Sequence, residues 1–277
     1  MTLVMAWLNK KDSPTSLNIA ADSLLSDGKQ TWQHATKIWR VHPTHDYVAY
    51  AGDSHYALTM IHEYVALLDW TTVLRGSAQR QTNTGRTLSA PTGPRARARA
   101  LMLNMRQVML TFPESWGSSA TLIYAGFDTR VERFHLFRLD LRKEEFEDVS
   151  CALAEKPVCY GSGAKAAAKL LRSTCPLSTP AVIGVLNQAI AAGKNKVGGH
   201  PQMVIVKKRG STAQAFNRDE NSRKLTVLFG VPVQFKSDLP RVQCRDASFK
   251  LVRPSSSGRI IRVQQREDQT ACSAEGP

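Results

Sequence analysis

Apolar positions fall into short runs over the first fifty residues and then change rhythm. TLVMAWL (2–8) and LNIAADS (17–23) flank the polar stretch NKKDSPTS, which predicts two strands joined by an elongated loop. TKIWRV (36–41) and DYVAYAG (46–52) flank HPTH, where a proline among polar residues favours a turn. From Ser54 to Trp70 the apolar residues Ala57, Met60, Ile61, Tyr64, Val65 and Leu68 recur at helical spacing.

The alternation continues downstream. Residues 71–94 are Gly-, Ser- and Thr-rich and predict a flexible loop, followed by a second helix from Arg95 to Leu110. SATLIYAGFD (119–128) and RFHLFRLDL (133–141) read as a hairpin across DTRVE. AKAAAKLLR is built from strong helix formers, and STPAVIGVLNQAIAAG predicts a further helix stopping at Gly193. PQMVIVKK (201–208) is strand-like. Strands, two helices, strands, two helices and a strand argue for an α+β domain over residues 2–209. Residues 210–277 form a C-terminal extension. It has one good strand candidate, KLTVLFGVPVQF, a weaker one at GRIIRVQQ, and a polar tail expected to fray.

Composition adds an electrostatic feature. Lys and Arg total 37 against 23 Asp and Glu, a net charge of +14. No acid occurs between Asp69 and Glu114, while Arg75, Arg80, Arg86, Arg95, Arg97, Arg99 and Arg106 accumulate there. The region is either a solvated loop or a contact for an anionic partner such as nucleic acid. Five cysteines without a CxxC pair suggest reduced thiols. MTLVMAWLNKK breaks into charge after eight residues, unlike a signal peptide, and no run is long enough to span a bilayer. A cytoplasmic protein that does not enter the membrane is expected.

Candidate chemistry gathers near predicted strand ends at Thr2, Asp22, Lys37, Gly52 and Ser162. Each has a plain alternative: Thr2 as strand material, Asp22 capping a turn, Lys37 solvated, Gly52 ending a strand, Ser162 capping a helix. Together they could form one site. Loss of Met1 would leave Thr2 with a hydroxyl and a free α-amine, and that amine titrates near pH 8, so it can serve as base for its own hydroxyl. A lysine nearby would favour loss of the hydroxyl proton. A carboxylate would orient that lysine, and a strand-end N–H could receive an oxyanion. His42, His45 and Asp46 lie in a turn without a further metal partner at diagnostic spacing. GSGAK lacks full phosphate-loop spacing, and Cys159 reads as a small buried residue.

The ordered set TLVMAW, IAADS, ATKIWRV and YVAYAGDSHYAL, with YGSGAKAAAKLL later, resembles the proteasome β-subunit family, including its bacterial HslV branch. The likeness runs loosely over residues 2–209. It implies a four-layer α-β-β-α sandwich and N-terminal-threonine hydrolysis of peptides or unfolded proteins inside a homo-oligomeric ring, served by an ATPase or other activator. No metal or organic cofactor is implied. By similarity Thr2 is the nucleophile, Lys37 the lysine beside it, Asp22 the aspartate pairing with that lysine, Gly52 the oxyanion donor and Ser162 the support of the amine. In KNKVGGHPQMVIV the sequence departs from the family pattern, with Lys194 and Val197 where an aspartate and a serine are expected before the glycine pair. The alternatives are a non-catalytic assembly or binding subunit with this fold, and an N-terminal-nucleophile amidase acting on a small amide.

Overall fold

The computed structural model describes residues 2–9, 13–26, 30–41, 45–78, 93–110, 120–140, 143, 145–174, 178–220, 223–229, 231–233, 242–246, 249–254 and 260–262. In chain order it begins with strands β1 (Val4–Leu8) and β2 (Ser16–Ala21) and a small hairpin, β3 (Leu25–Ser26) and β4 (Thr31–Trp32). β5 (Ile38–Val41) and β6 (Asp46–Gly52) precede helices α1 (Ser54–Ala78) and α2 (Pro94–Met109). Next come β7 (Ala120–Asp128), β8 (Arg133–Asp140), β9 (Glu145–Asp148), the short α3 (Ser150–Glu155), β10 (Val158–Tyr160), α4 (Ala164–Arg172) and α5 (Thr179–Ala192). The chain closes with β11 (Gln202–Lys207), β12 (Ser211–Glu220), β13 (Arg223–Leu228), β14 (Val231–Val233), β15 (Val242–Arg245), β16 (Leu251–Pro254) and β17 (Ile260–Arg262).

This is a mixed α/β fold of α+β character. One sheet runs β5-β6-β7-β8-β9, antiparallel throughout; the larger runs β10-β1-β2-β11-β12-β15-β16-β17, with β13 and β14 branching from β12. Alternation along β1 explains its unbroken apolar sequence. Val4 and Ala6 join Ile19, Ala49, Ile123 and Val204 in a core between the sheets, whereas Leu3, Met5 and Trp7 pack with Leu171, Val182 and Leu186 of α4 and α5. A strand buried on both faces has no polar face to show. On the smaller sheet, Val48, Tyr50, Leu122 and Tyr124 turn the other way, towards Tyr64 and Ile61 of α1 and Leu101 and Met105 of α2.

Local chemistry sets the helix ends. The Ser178 hydroxyl accepts the Ala181 N–H at the start of α5, and Gly193 ends it at φ 61°, a left-handed position that suits glycine. Three readings of the sequence need correction. The helix expected to stop at Trp70 continues to Ala78, since no proline interrupts it, so residues 71–78 of the expected loop are helical. The rest of that loop, residues 79–92, lies outside the described residues, as do His42 and the polar tail. KLTVLFGVPVQF is two strands rather than one, pairing Leu228 with Val231 after Phe229 takes φ 49°. The ten-residue β12, STAQAFNRDE, is too polar to be noticed in the sequence. It pairs antiparallel with β11, so the chain beyond 209 continues the same sheet.

Asp46 shows how the outer helices are fastened. Its Oδ2 accepts from Arg97 Nε at 2.6 Å and from the Tyr124 hydroxyl at 2.6 Å, and the Tyr64 hydroxyl donates to the Arg97 carbonyl at 2.8 Å. The neighbouring His45 Nδ1 lies 3.1 Å from Arg40 Nη2. Arg97→Ala would leave the Asp46 carboxylate buried without its cation. Breaking a fully enclosed pair costs about 3–5 kcal/mol, and the partial exposure of Arg97 lowers the expected loss to about 2–3 kcal/mol in urea unfolding. Among the described residues no helix is long and apolar enough to cross a membrane.

Candidate active site

Antiparallel pairing of β1 with β2 sets Val4 opposite Ala21, which brings the start of one strand beside the end of the other. Asp22, one residue past β2, exploits this. Its N–H donates to the Leu3 carbonyl at 3.2 Å, and its Oδ1 accepts the Leu3 N–H at 2.8 Å. The same oxygen takes Lys37 Nζ at 3.0 Å, and Oδ2 accepts the Gly198 N–H at 3.1 Å. One carboxylate therefore ties together the segment next to Thr2, the lysine ahead of β5 and the turn ahead of β11. Charge-assisted bonds of this kind are the strong ones.

Asp22 and Lys37 are both fully buried. Lys37 Nζ also donates to the Leu24 carbonyl at 2.6 Å. Burial pulls the Lys37 ammonium below the usual lysine value, and the charge and hydrogen bond of Asp22 work against that shift without cancelling it. Such a lysine keeps a partner while its proton is held less tightly than in water.

Thr2 is fully buried, and among the described residues its Oγ1 has no hydrogen-bond partner. A buried hydroxyl with unmet capacity is costly in a region present only for packing, and is expected where a ligand or reacting group completes it. Gly161 lies against it. At φ 93°, any Cβ at this position would overlap the Thr2 carbonyl and would approach the Ala51 Cβ to 3.2 Å. Only glycine permits that approach at that φ.

Hydrogen bonds of the site connect part of the predicted set directly. Asp22 and Lys37 are joined, and Asp22 reaches the residue following Thr2. Gly52 closes β6 at φ 115° and lines a cavity of about 650 Å³ with Asp53, Ser54, His55 and the β3–β4 hairpin, including Trp32. Its neighbour Ala51, like the Thr2 carbonyl, lies against Gly161. Ser162 is exposed, and Gly161 beside it in YGSG lies against the Thr2 carbonyl. Lys194 is exposed and opens a short 3-10 turn, residues 194–196. Val197 is buried, and a Cβ on Gly163 would stand 2.6 Å from its Cγ2 and 3.2 Å from the Leu3 Cβ. Val197 therefore fills space beside the site and offers it no hydrogen bond from its side chain.

Two contributors were not visible in the sequence. Gly198 works through its backbone: besides its N–H to Asp22, its carbonyl accepts Ser23 N at 3.3 Å and Leu24 N at 3.2 Å. The GG pair in KVGGH was the available signal, but nothing in it shows which N–H faces the carboxylate. Gln202 had no signal at all. Cys159 is not a rival nucleophile, because burial pushes its thiol up to about 11 and keeps it protonated. No protein-family model matches the chain, and no curated protein matches it.

Proposed function

We propose that the chain is an N-terminal-threonine hydrolase of proteasome β-like type, which cleaves peptide bonds through an acyl-enzyme on Thr2 once Met1 is removed. One observation carries this reading. The Asp22 carboxylate holds a fully buried lysine while gripping the backbone N–H of the residue after Thr2. That is more than a strand end needs for stability alone, since buried ion pairs are weak sources of net stability. The stacking of α1 and α2 on the smaller sheet, the two sheets on each other, and α4 and α5 on the larger sheet supports a four-layer α-β-β-α sandwich.

In the proposed reaction the Thr2 α-amine accepts the hydroxyl proton, helped by the positive charge of Lys37, and Oγ1 attacks the scissile carbonyl. The carbonyl electrons move onto oxygen, where a backbone N–H from the Gly52 strand end is the proposed donor. Collapse expels the peptide amine, which takes the proton from the α-ammonium, and leaves an ester on Oγ1. Water, deprotonated by the α-amine, then attacks the ester and restores the Thr2 hydroxyl. The cavity beside Gly52 is the proposed seat of a substrate side chain. A cytoplasmic homo-oligomeric ring, fed by an ATPase or other activator, completes the reading.

Native mass spectrometry tests two parts at once. The expected spectrum shows a multi-subunit assembly whose subunits lack the mass of Met1. Subunits that keep Met1 quantitatively would have no free Thr2 amine, and a monomer would contradict the ring.

A further inference from the structure

We infer that Gln202 is a positioning residue for the Thr2 site, acting through the backbone of Lys37 and Asp22; this rests on the hydrolase reading above. Gln202 is the first residue of β11 and is fully buried, and it shares its face of the strand with Val204 and Val206, which meet the other sheet. An amide stands there where the strand pattern calls for an apolar side chain. Its partners explain the exception. Oε1 accepts the Lys37 N–H at 2.9 Å, while Nε2 donates to the Ala35 carbonyl at 2.6 Å and to the Asp22 carbonyl at 3.2 Å.

The first two bonds have a recognisable form. A carbonyl at one residue and the N–H two residues on are the pair that one residue of a parallel strand would satisfy. The Gln202 amide therefore acts as a one-residue strand for the segment entering β5, which among the described residues has no ladder neighbour on that side at this point. Its third bond anchors the same amide to the backbone of Asp22. The two residues of the buried ion pair thus have their main chains fixed to one rigid group, although Asp22 follows a strand of the larger sheet and Lys37 precedes one of the smaller. A serine or threonine could not span these three backbone groups. A carboxylate would turn lone pairs towards two carbonyls.

The consequence concerns the reaction more than substrate binding. If the Lys37 main chain shifts, Nζ moves relative to Thr2 while the cavity beside Gly52 is untouched. The test uses protein that has lost Met1 and an epoxyketone or β-lactone probe, with kinact and KI measured for wild type, Gln202→Met and Gln202→Glu, and with the folded fraction read by circular dichroism. Gln202→Met is expected to lower kinact roughly tenfold to a hundredfold with KI unchanged, because a displacement of about 1 Å at a reacting centre can cost a hundredfold. Gln202→Glu keeps the volume and the acceptor for the Lys37 N–H but turns lone pairs towards the Ala35 and Asp22 carbonyls, so it too is expected to lower kinact. Wild-type kinact in both variants would reduce Gln202 to a structural amide and overturn the inference. Should Gln202→Met fail to fold, wild-type kinact in Gln202→Glu overturns it equally. A wild-type protein that carries no label on Thr2 defeats the hydrolase reading itself, an outcome distinct from labelled variants that behave as wild type.

Discussion

Thr2→Ala, in protein that has lost Met1, abolishes hydrolysis of fluorogenic peptides and covalent labelling by epoxyketone or β-lactone electrophiles. The expected loss exceeds about a thousandfold, since removing the nucleophile of a hydrolase leaves only the residual catalysis of binding and oxyanion stabilisation. The fold should survive. Thr2 Oγ1 makes no hydrogen bond to a described residue, so its removal forfeits no bond seen here, and the amine, the strand and the grip of Asp22 on Leu3 all remain. A variant that is fully folded and inactive is therefore the diagnostic outcome. Labelling that persists at wild-type rate in Thr2→Ala would place the nucleophile elsewhere and sink the proposal. A half-buried thiol raised to about 11, as in Cys159, does not offer an obvious replacement.

Asp22→Asn should damage both stability and turnover. The replacement has nearly the same shape, and its oxygen can still accept one of the two backbone N–H groups now shared by the carboxylate. It cannot compensate the Lys37 charge, which is fully buried. Removing one member of such a pair costs about 3–5 kcal/mol, because the remaining charge keeps its desolvation penalty without its partner. Lys37 then sheds its proton more easily. The sign of the pH dependence follows from linkage: a lysine whose folded pKa is depressed binds fewer protons folded than unfolded, so stability rises with pH. This rise spans the interval from the depressed folded value to the unfolded value near 10.4. In wild type Lys37 is already lowered, and in the variant it is lowered further. The stability gap between them should accordingly narrow as pH rises from neutrality, measured by urea unfolding at pH 7 and about pH 9.5. A gap that widens would show that the charge of Lys37 is not what the carboxylate supports. Peptide hydrolysis should fall with it even under conditions where the variant is fully folded.

Much of the architecture was legible because it depends on local periodicity. The apolar run of β1, the helical spacing after Ser54, the small residues of α4 and the glycine ending α5 each signal their own element within a few positions. The misses share a different cause. β12 is polar along much of its length because its place in the sheet is held by backbone pairing to β11, which leaves no mark in hydropathy. Helix α1 outran its apolar stripe for a related reason, since the absence of a breaker lets a helix continue where side-chain pattern no longer demands it.

The site divides in the same way. Sequence alone picked out Thr2, Asp22 and Lys37 as residue types able to do the chemistry, because a hydroxyl, a carboxylate and an amine carry that capacity wherever they stand. Only the tertiary structure decided that Asp22 faces Lys37 and Leu3 together, that Gly161 lies against the Thr2 carbonyl, and that Val197 is buried beside Gly163 and Leu3. It also drew in Gly198 and Gln202, one through a backbone N–H and the other through bonds to three backbone groups. Peptide groups are common to every residue, so their use leaves no signature in the sequence. Their positions become specific only when strands far apart in the chain are set side by side.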